Sequence, residues 1–216
     1  PVYAGILYQY RGQSYKSIVK SIFYIMPIVF FSWCFVPSMP TAVNLLFIMY
    51  CMLLLAIWKG WFRLDKIKTI LCLVFVGVVF PICTFVYLYY FQMADYQRLR
   101  LQSFFHILDE TNDYSFVYRC VRTILENSKW IGASIDMADS HYQLTQSNGF
   151  ILTQLMASYG MLFGVIVVLA FLMLLSHMFH ITWKQKNQLG FMIGAGCGLV
   201  FLVSIMEGVF MNIGWF

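Results

Sequence analysis

Few side chains in this sequence could do chemistry, because charged residues make up 11% of its 216 positions and apolar types 61%. The most conspicuous is Glu207, the one acidic residue inside a long apolar run. A carboxylate within a membrane span is costly, so it marks an ion, proton or head-group site unless it reaches the interface. Asn212 follows it on the same run and makes that stretch polar enough to hold a cation or a head group. His177 and His180 have the spacing of a helix-borne metal pair. A catalytic zinc needs three protein ligands, and with no third in view the two histidines read as interfacial polar residues. His106 and His141 have no serine or cysteine placed as a nucleophile, so a hydrolase triad cannot be argued. Hydroxyls and amides cluster at Ser140, Gln143, Thr145, Gln146, Ser147, Asn148, Thr153 and Gln154. They suit a sugar or a phosphate but are poor general bases, and Ser147 or Asn148 could equally be a plain helix cap. The acids nearest in sequence are Asp136 and Asp139, with Asp109 further back. Arg98 and Arg100 carry planar guanidinium forks that match diphosphate oxygens. Pairing with Asp95 or Asp109 is the plainer reading of both.

These groups must be held by elements suited to lipid. A soluble domain averages about 25% charged residues, and this chain has less than half of that. A soluble enzyme, a nucleic-acid binder and a disordered tail are therefore excluded. The formal charge of +5 does not restore nucleic acid as a partner, because the bases lie in short runs between apolar blocks. Six cysteines, five of them in apolar blocks and none in C-x-x-C spacing, indicate neither a disulfide framework nor a zinc site. No cofactor or metal is expected.

Gaps between charges locate the spans. Thirty-eight uncharged residues separate Lys20 from Lys59, about 57 Å as a single helix against a hydrocarbon core of ~30 Å. The block must turn back, and Pro37-Ser38-Met39-Pro40 is the turn. The result is an all-α, polytopic membrane protein with about five passes, near residues 21–36, 41–58, 69–91, 150–179 and 190–216. The beginning at Pro1 and the end at Trp215-Phe216 inside an apolar run predict a fragment of a longer protein. If the passes alternate, Arg11, Lys16, Lys20, Lys59, Arg63, Lys66, Lys68, Lys184 and Lys186 share one side with a single acid, Asp65. The positive-inside rule makes that side cytoplasmic. The chain then divides into a membrane part (1–91), an extracytoplasmic loop (92–148) and a second membrane part (149–216). Within the loop, Phe116, Val117, Cys120, Val121, Ile124 and Leu125 recur at the helical period and predict an amphipathic helix over 114–127. This helix either anchors the loop or borders a lipid-accessible groove. Gly160 and Gly164, then Gly190, Gly194 and Gly198, have the four-residue spacing of close helix contacts.

Several short words in this frame match one family. Val36-Pro37-Ser38-Met39-Pro40-Thr41-Ala42 aligns with a Q-P-D-x-G-T-A turn. Tyr96-Gln97-Arg98-Leu99-Arg100-Leu101, then Leu108-Asp109 and Asp113, align with an R-x-R entry and an LDP…D stretch. Tyr118 falls at a G-Y-Q, and Asn212-Ile213-Gly214 matches N-I-G. With these words the sequence resembles the SEDS membrane proteins (FtsW, RodA and SpoVE), covering roughly their fifth to ninth transmembrane helices. The resemblance implies ten helices in the whole protein, residence in the bacterial inner membrane, lipid II as precursor and a class B penicillin-binding protein as partner. It also exposes a departure. The family opens its eighth helix with T-D-F-I-F, followed by E-E-x-G, and the Asp is its catalytic base. Here the stretch reads Ser147-Asn148-Gly149-Phe150-Ile151-Leu152, then Ala157-Ser158-Tyr159-Gly160. Gly149 stands at the Asp position and both glutamates are missing.

Loss of a general base costs about 10²–10⁴ in rate, so the favoured reading is a SEDS-like protein of cell-wall growth or division that binds lipid-linked precursor or a partner with impaired catalysis. Arg98, Arg100, Asn148, Gln154 and Asn212 are its candidate substrate contacts. One alternative is an active lipid II polymerase with a relocated base, drawn from Asp139, Asp136, Asp109 and Glu207. The other is a precursor transporter or flippase, motivated by Glu207 and the broken Pro37–Pro40 turn.

Overall fold

The computed structural model describes residues 1–12, 15–24, 26–28, 31, 39–62, 65–91, 116–133 and 149–214, and among them there are helices and no strand. The helices are α1 (Val2–Gln9), α2 (Tyr15–Phe23), α3 (Met39–Trp58), α4 (Lys66–Phe91), α5 (Phe116–Asn127), α6 (Ile151–Tyr159), α7 (Met161–Trp183) and α8 (Gln188–Asn212). At 23 and 25 residues, α7 and α8 are about 34 and 37 Å long, enough for a ~30 Å hydrocarbon core. Both are apolar enough to cross it, and only 11% of the α7 stretch is buried within the protein. Phe171, Leu172, Met173 and Leu174 are all exposed around it, as on a helix whose solvent is lipid. α3 and α4 occupy the segments expected for the second and third passes. The Pro37-Ser38 part of the turn and half of the first expected pass lie outside the described residues.

One expected pass is divided. The apolar run 150–179 forms two helices, α6 and α7, separated at Gly160 with φ 100° and ψ 161°. That backbone region is essentially open to glycine alone. Nine residues of α6 span only ~14 Å, so α7 alone is long enough to cross.

The chain forms two compact units, Pro1–Phe85 with Leu175–Val203, and Val86–Leu174 with Ser204–Phe216. In the first, Tyr3, Ala4 and Leu7 of α1 and Ile18 of α2 pack with Met52, Leu53, Ala56 and Ile57 of α3 and Met192 of α8. α3 ends in a Schellman motif: Trp61 N–H donates to the Ala56 carbonyl (3.1 Å) and Gly60 N–H to that of Ile57 (2.9 Å), with Gly60 left-handed at φ 75°. Trp61 is buried, and its carbonyl accepts Gly12 N–H at 2.6 Å. Arg11 Nη1 donates to Gln188 Oε1 at 3.2 Å. The segment after α1 therefore meets both the segment after α3 and the first residue of α8. Of the expected glycine stripe of α8, Gly194 and Gly198 make the close contacts their spacing predicts and Gly190 does not. A Cβ on Gly194 would lie 2.6 Å from Thr182 Oγ1, and one on Gly198 would lie 3.0 Å from the Phe179 ring.

In the second unit α5 is amphipathic as expected. Cys120, Val121 and Ile124 are buried, whereas Arg122 and Glu126 pair at 3.1 Å on the exposed side. α5 packs against α6, and the chain leaving it seals the break at Gly160. Met161 N–H donates to the Lys129 carbonyl (3.0 Å), Leu162 N–H to that of Trp130 (3.2 Å), and Gly132 N–H to that of Tyr159 (3.2 Å). Two of the N–H groups that a helix start leaves unpartnered, and the last carbonyl of α6, are thus satisfied by one passing backbone. A Cβ on Gly160 would lie 2.6 Å from the Trp130 oxygen and 2.9 Å from Ile131 Cα. Gly160→Ala is expected to destabilise the protein by ~2–3 kcal/mol from strain and backbone displacement. Gly190→Ala, whose Cβ would meet only ordinary contacts, is expected to be neutral or better; thermal unfolding of both variants in one detergent checks the contrast.

Candidate functional site

The site forms where α6 begins. A helix start leaves four N–H groups without partners, and a side chain just ahead of it usually takes one. At α6 the N-cap position is Phe150, which has no side-chain oxygen to offer; Ser147 and Asn148, the caps expected from the sequence, lie outside the described residues. The acceptor comes instead from the far end of α8. Thr153 N–H, in the first turn of α6, donates to Asn212 Oδ1 at 2.9 Å. In return the Thr153 hydroxyl donates to the Asn212 main-chain carbonyl at 2.9 Å and lies 3.1 Å from Asn212 Oδ1. That carbonyl is one of the groups the C-terminus of α8 leaves open, so each helix end satisfies the other. The positive end of the α6 dipole also meets the negative end of that of α8.

Both partners are shielded from solvent, with Thr153 at 0% and Asn212 at 6% exposure. Asn212 is fixed further by Nδ2, which donates to the Gly208 carbonyl one turn back at 2.8 Å. α8 then stops at Gly214, left-handed at φ 78°, whose N–H reaches the Met211 carbonyl at 3.2 Å. The Asn-Ile-Gly word therefore has a mechanical meaning: its Asn clamps α6 and its Gly ends α8.

Gly149 immediately precedes the buried Phe150. It is left-handed at φ 79° and exposed, and a Cβ there would meet nothing within 4 Å. Space for a side chain exists, and the backbone conformation is the constraint. Asp and Asn tolerate the left-handed region better than other non-glycine residues. Gln154 is half-buried on α6, next to the clamp. Glu207 is exposed on α8, five residues before Asn212. Five residues turn a helix by about 140° beyond one full revolution, so Glu207 projects from a different side of α8 than the clamp.

Of the sequence-predicted residues, Gly149 and Asn212 are brought to one helix start with Gln154 beside them. Arg98, Arg100, Asp109, Asp136, Asp139 and Asn148 lie outside the described residues. His177 and His180 are both exposed on α7. Thr153, read in the sequence only as one of a polar cluster, is the residue around which the site is built. Its signal is a hydroxyl in the first turn of a helix whose own cap position is apolar.

The sequence profile of the FtsW/RodA/SpoVE family, described as cell cycle protein, matches residues 3–216. No curated protein and no solved structure matches the chain.

Removing the Asn212 side chain leaves the buried Thr153 N–H without a partner, which costs ~1–3 kcal/mol, while the Thr153 hydroxyl keeps the Asn212 main-chain carbonyl. Asn212→Leu is expected to lose about that much. Thr153→Val keeps the amide bond and should lose less. The double variant should lose less than the sum of the two, with a coupling of ~1 kcal/mol or more, in denaturant or thermal unfolding.

Proposed function

Because the chain belongs to the FtsW/RodA/SpoVE family of cell-cycle membrane proteins, we propose that it is a SEDS-like protein of cell-wall growth or division that binds lipid-linked peptidoglycan precursor or a penicillin-binding-protein partner with impaired catalysis. The observation that carries this reading is Gly149. In the segments that align with the family's eighth and ninth helices, Asn212 clamps Thr153, Phe150 is buried, and Gly214 ends α8. At the position of the family Asp, the chain presents a left-handed glycine with open space above it. Glycosyl transfer needs a group to take the proton from the attacking hydroxyl, and glycine has none.

The proposal includes the topology. The chain makes five passes, with residues 92–148 extracytoplasmic and the basic segments 11–20, 59–68 and 184–186 cytoplasmic. Support comes from the contacts of Arg11 with Gln188 and of Gly12 with Trp61, which join segments the alternation assigns to one side. The break at Gly160 gives little support to a transport site. Discontinuous helices bind ions through open backbone groups, and here those of Tyr159, Met161 and Leu162 are engaged by residues 129–132.

The full-length protein, with and without its penicillin-binding-protein partner, is to be incubated with lipid II and the products resolved as glycan ladders. The unmodified protein is expected to give no ladder. Gly149→Asp is expected to raise polymerisation toward the 10²–10⁴-fold that a general base supplies, reduced by the strain of a non-glycine residue at φ 79°. A ladder from the unmodified protein would overturn the reading and direct attention to Asp109, Asp136, Asp139 and Glu207 as the relocated base.

A further inference from the structure

Charge in the first unit is strongly one-sided. Within residues 1–85 and 175–203 the sequence places nine bases against the single acid Asp65. Asp65 lies 3.7 Å from Lys68, so the unit offers almost no internal anion to its remaining cations. One of them, Lys59, lies over Trp183, a wall of an apolar groove, and a second, Lys184, follows Trp183 in sequence. Cys51, Leu54 and Leu55 of α3, Phe179, Thr182 and Trp183 of α7, and Ala195 and Leu199 of α8 enclose about 320 Å³. The groove's α3 wall runs from Cys51 to Leu55, about 6 Å along the helix, and Trp58 and Lys59 follow at the end of α3 toward Trp183.

At that upper end the side chains change character together. Lys59 Nζ lies 4.3 Å from the centre of the Phe191 ring and 5.4 Å from that of Trp183. Trp58 is 5.8 Å from Trp183, both about half exposed. Lys184 follows Trp183 directly and is exposed. Tryptophans beside lysines at the ends of apolar helices mark the level of lipid head groups, and basic pockets between helices bind anionic ones. The apolar channel continuing beneath suits an acyl chain.

We propose that this groove is a binding site for an anionic phospholipid, with its phosphate at Lys59 and Lys184, its glycerol region between Trp58 and Trp183, and one acyl chain laid along α3 toward Cys51. Lys59 is held ready by its two aromatic neighbours, an attraction that strengthens where water is excluded. The site lies wholly within the first unit and does not involve Gly149 or the Thr153–Asn212 clamp. It stands or falls independently of the catalytic reading.

The test is native mass spectrometry of the full-length protein released from membranes containing equal amounts of phosphatidylglycerol and phosphatidylcholine. Phosphatidylglycerol is expected to be retained preferentially. Lys59→Gln and Lys184→Gln should each reduce that preference by about fivefold, while Lys59→Arg should preserve it. Ala195→Phe, which fills the groove and leaves every charge in place, should abolish retention. Equal retention of both lipids, or a preference untouched by the lysine substitutions, would overturn the proposal. So would an Ala195→Phe variant that keeps its lipid but changes its oligomeric state, because the groove would then hold another protein helix.

Discussion

Two helix ends in this protein complete each other. α6 begins without a capping side chain of its own, and α8 ends with an open carbonyl; Thr153 and Asn212 close both deficits with reciprocal hydrogen bonds away from water. In a lipid setting this is a strong constraint, since unsatisfied backbone groups cannot turn to solvent. It fixes the start of α6 relative to the end of α8, and with it the position of Gly149, one residue ahead of the buried Phe150. The same logic governs the other end of α6, where Gly160 admits the backbone of Lys129 to Gly132 close enough to satisfy the groups that the helix break exposes. A nine-residue helix too short to span the membrane is thus pinned at both ends by hydrogen bonds from outside itself.

That economy explains which glycines matter. Gly160 is held where a side chain would strike a backbone, and Gly60 and Gly214 stop helices in the left-handed region. Gly149 is different: it has the conformation of a glycine without the crowding. Its exposed, uncrowded place at the entrance of α6 is what the proposed loss of a proton acceptor rests on.

Much of this was legible in the residues. The helical class follows from long uncharged runs, the amphipathic α5 from the period of Cys120, Val121 and Ile124, and the packing role of Gly194 and Gly198 from their spacing. Arg11 touches Gln188 and Gly12 touches Trp61, contacts between segments that the basic runs assign to one side. The division of 150–179 was not legible, because hydropathy is continuous through Tyr159 and Met161; only the backbone angles of Gly160 and the distant segment 129–132 reveal it. Nor could sequence pair Thr153 with Asn212 across 59 residues. Their types are compatible with many roles, including the substrate contact expected of Asn212, and the fold alone brings them together. The groove beside Lys59 was not legible, because it needs α3, α7 and α8 in place.

The proposed loss of a base from a precursor-binding site makes binding and turnover separable, and their joint measurement in one preparation is the most direct test. Fluorescent lipid II is to be titrated into the unmodified full-length protein, its equilibrium binding recorded, and the same samples then assayed for chain growth. The account predicts saturable binding comparable to that of a polymerising homologue, without polymer. Polymer from the unmodified protein, or no saturable binding, would contradict it.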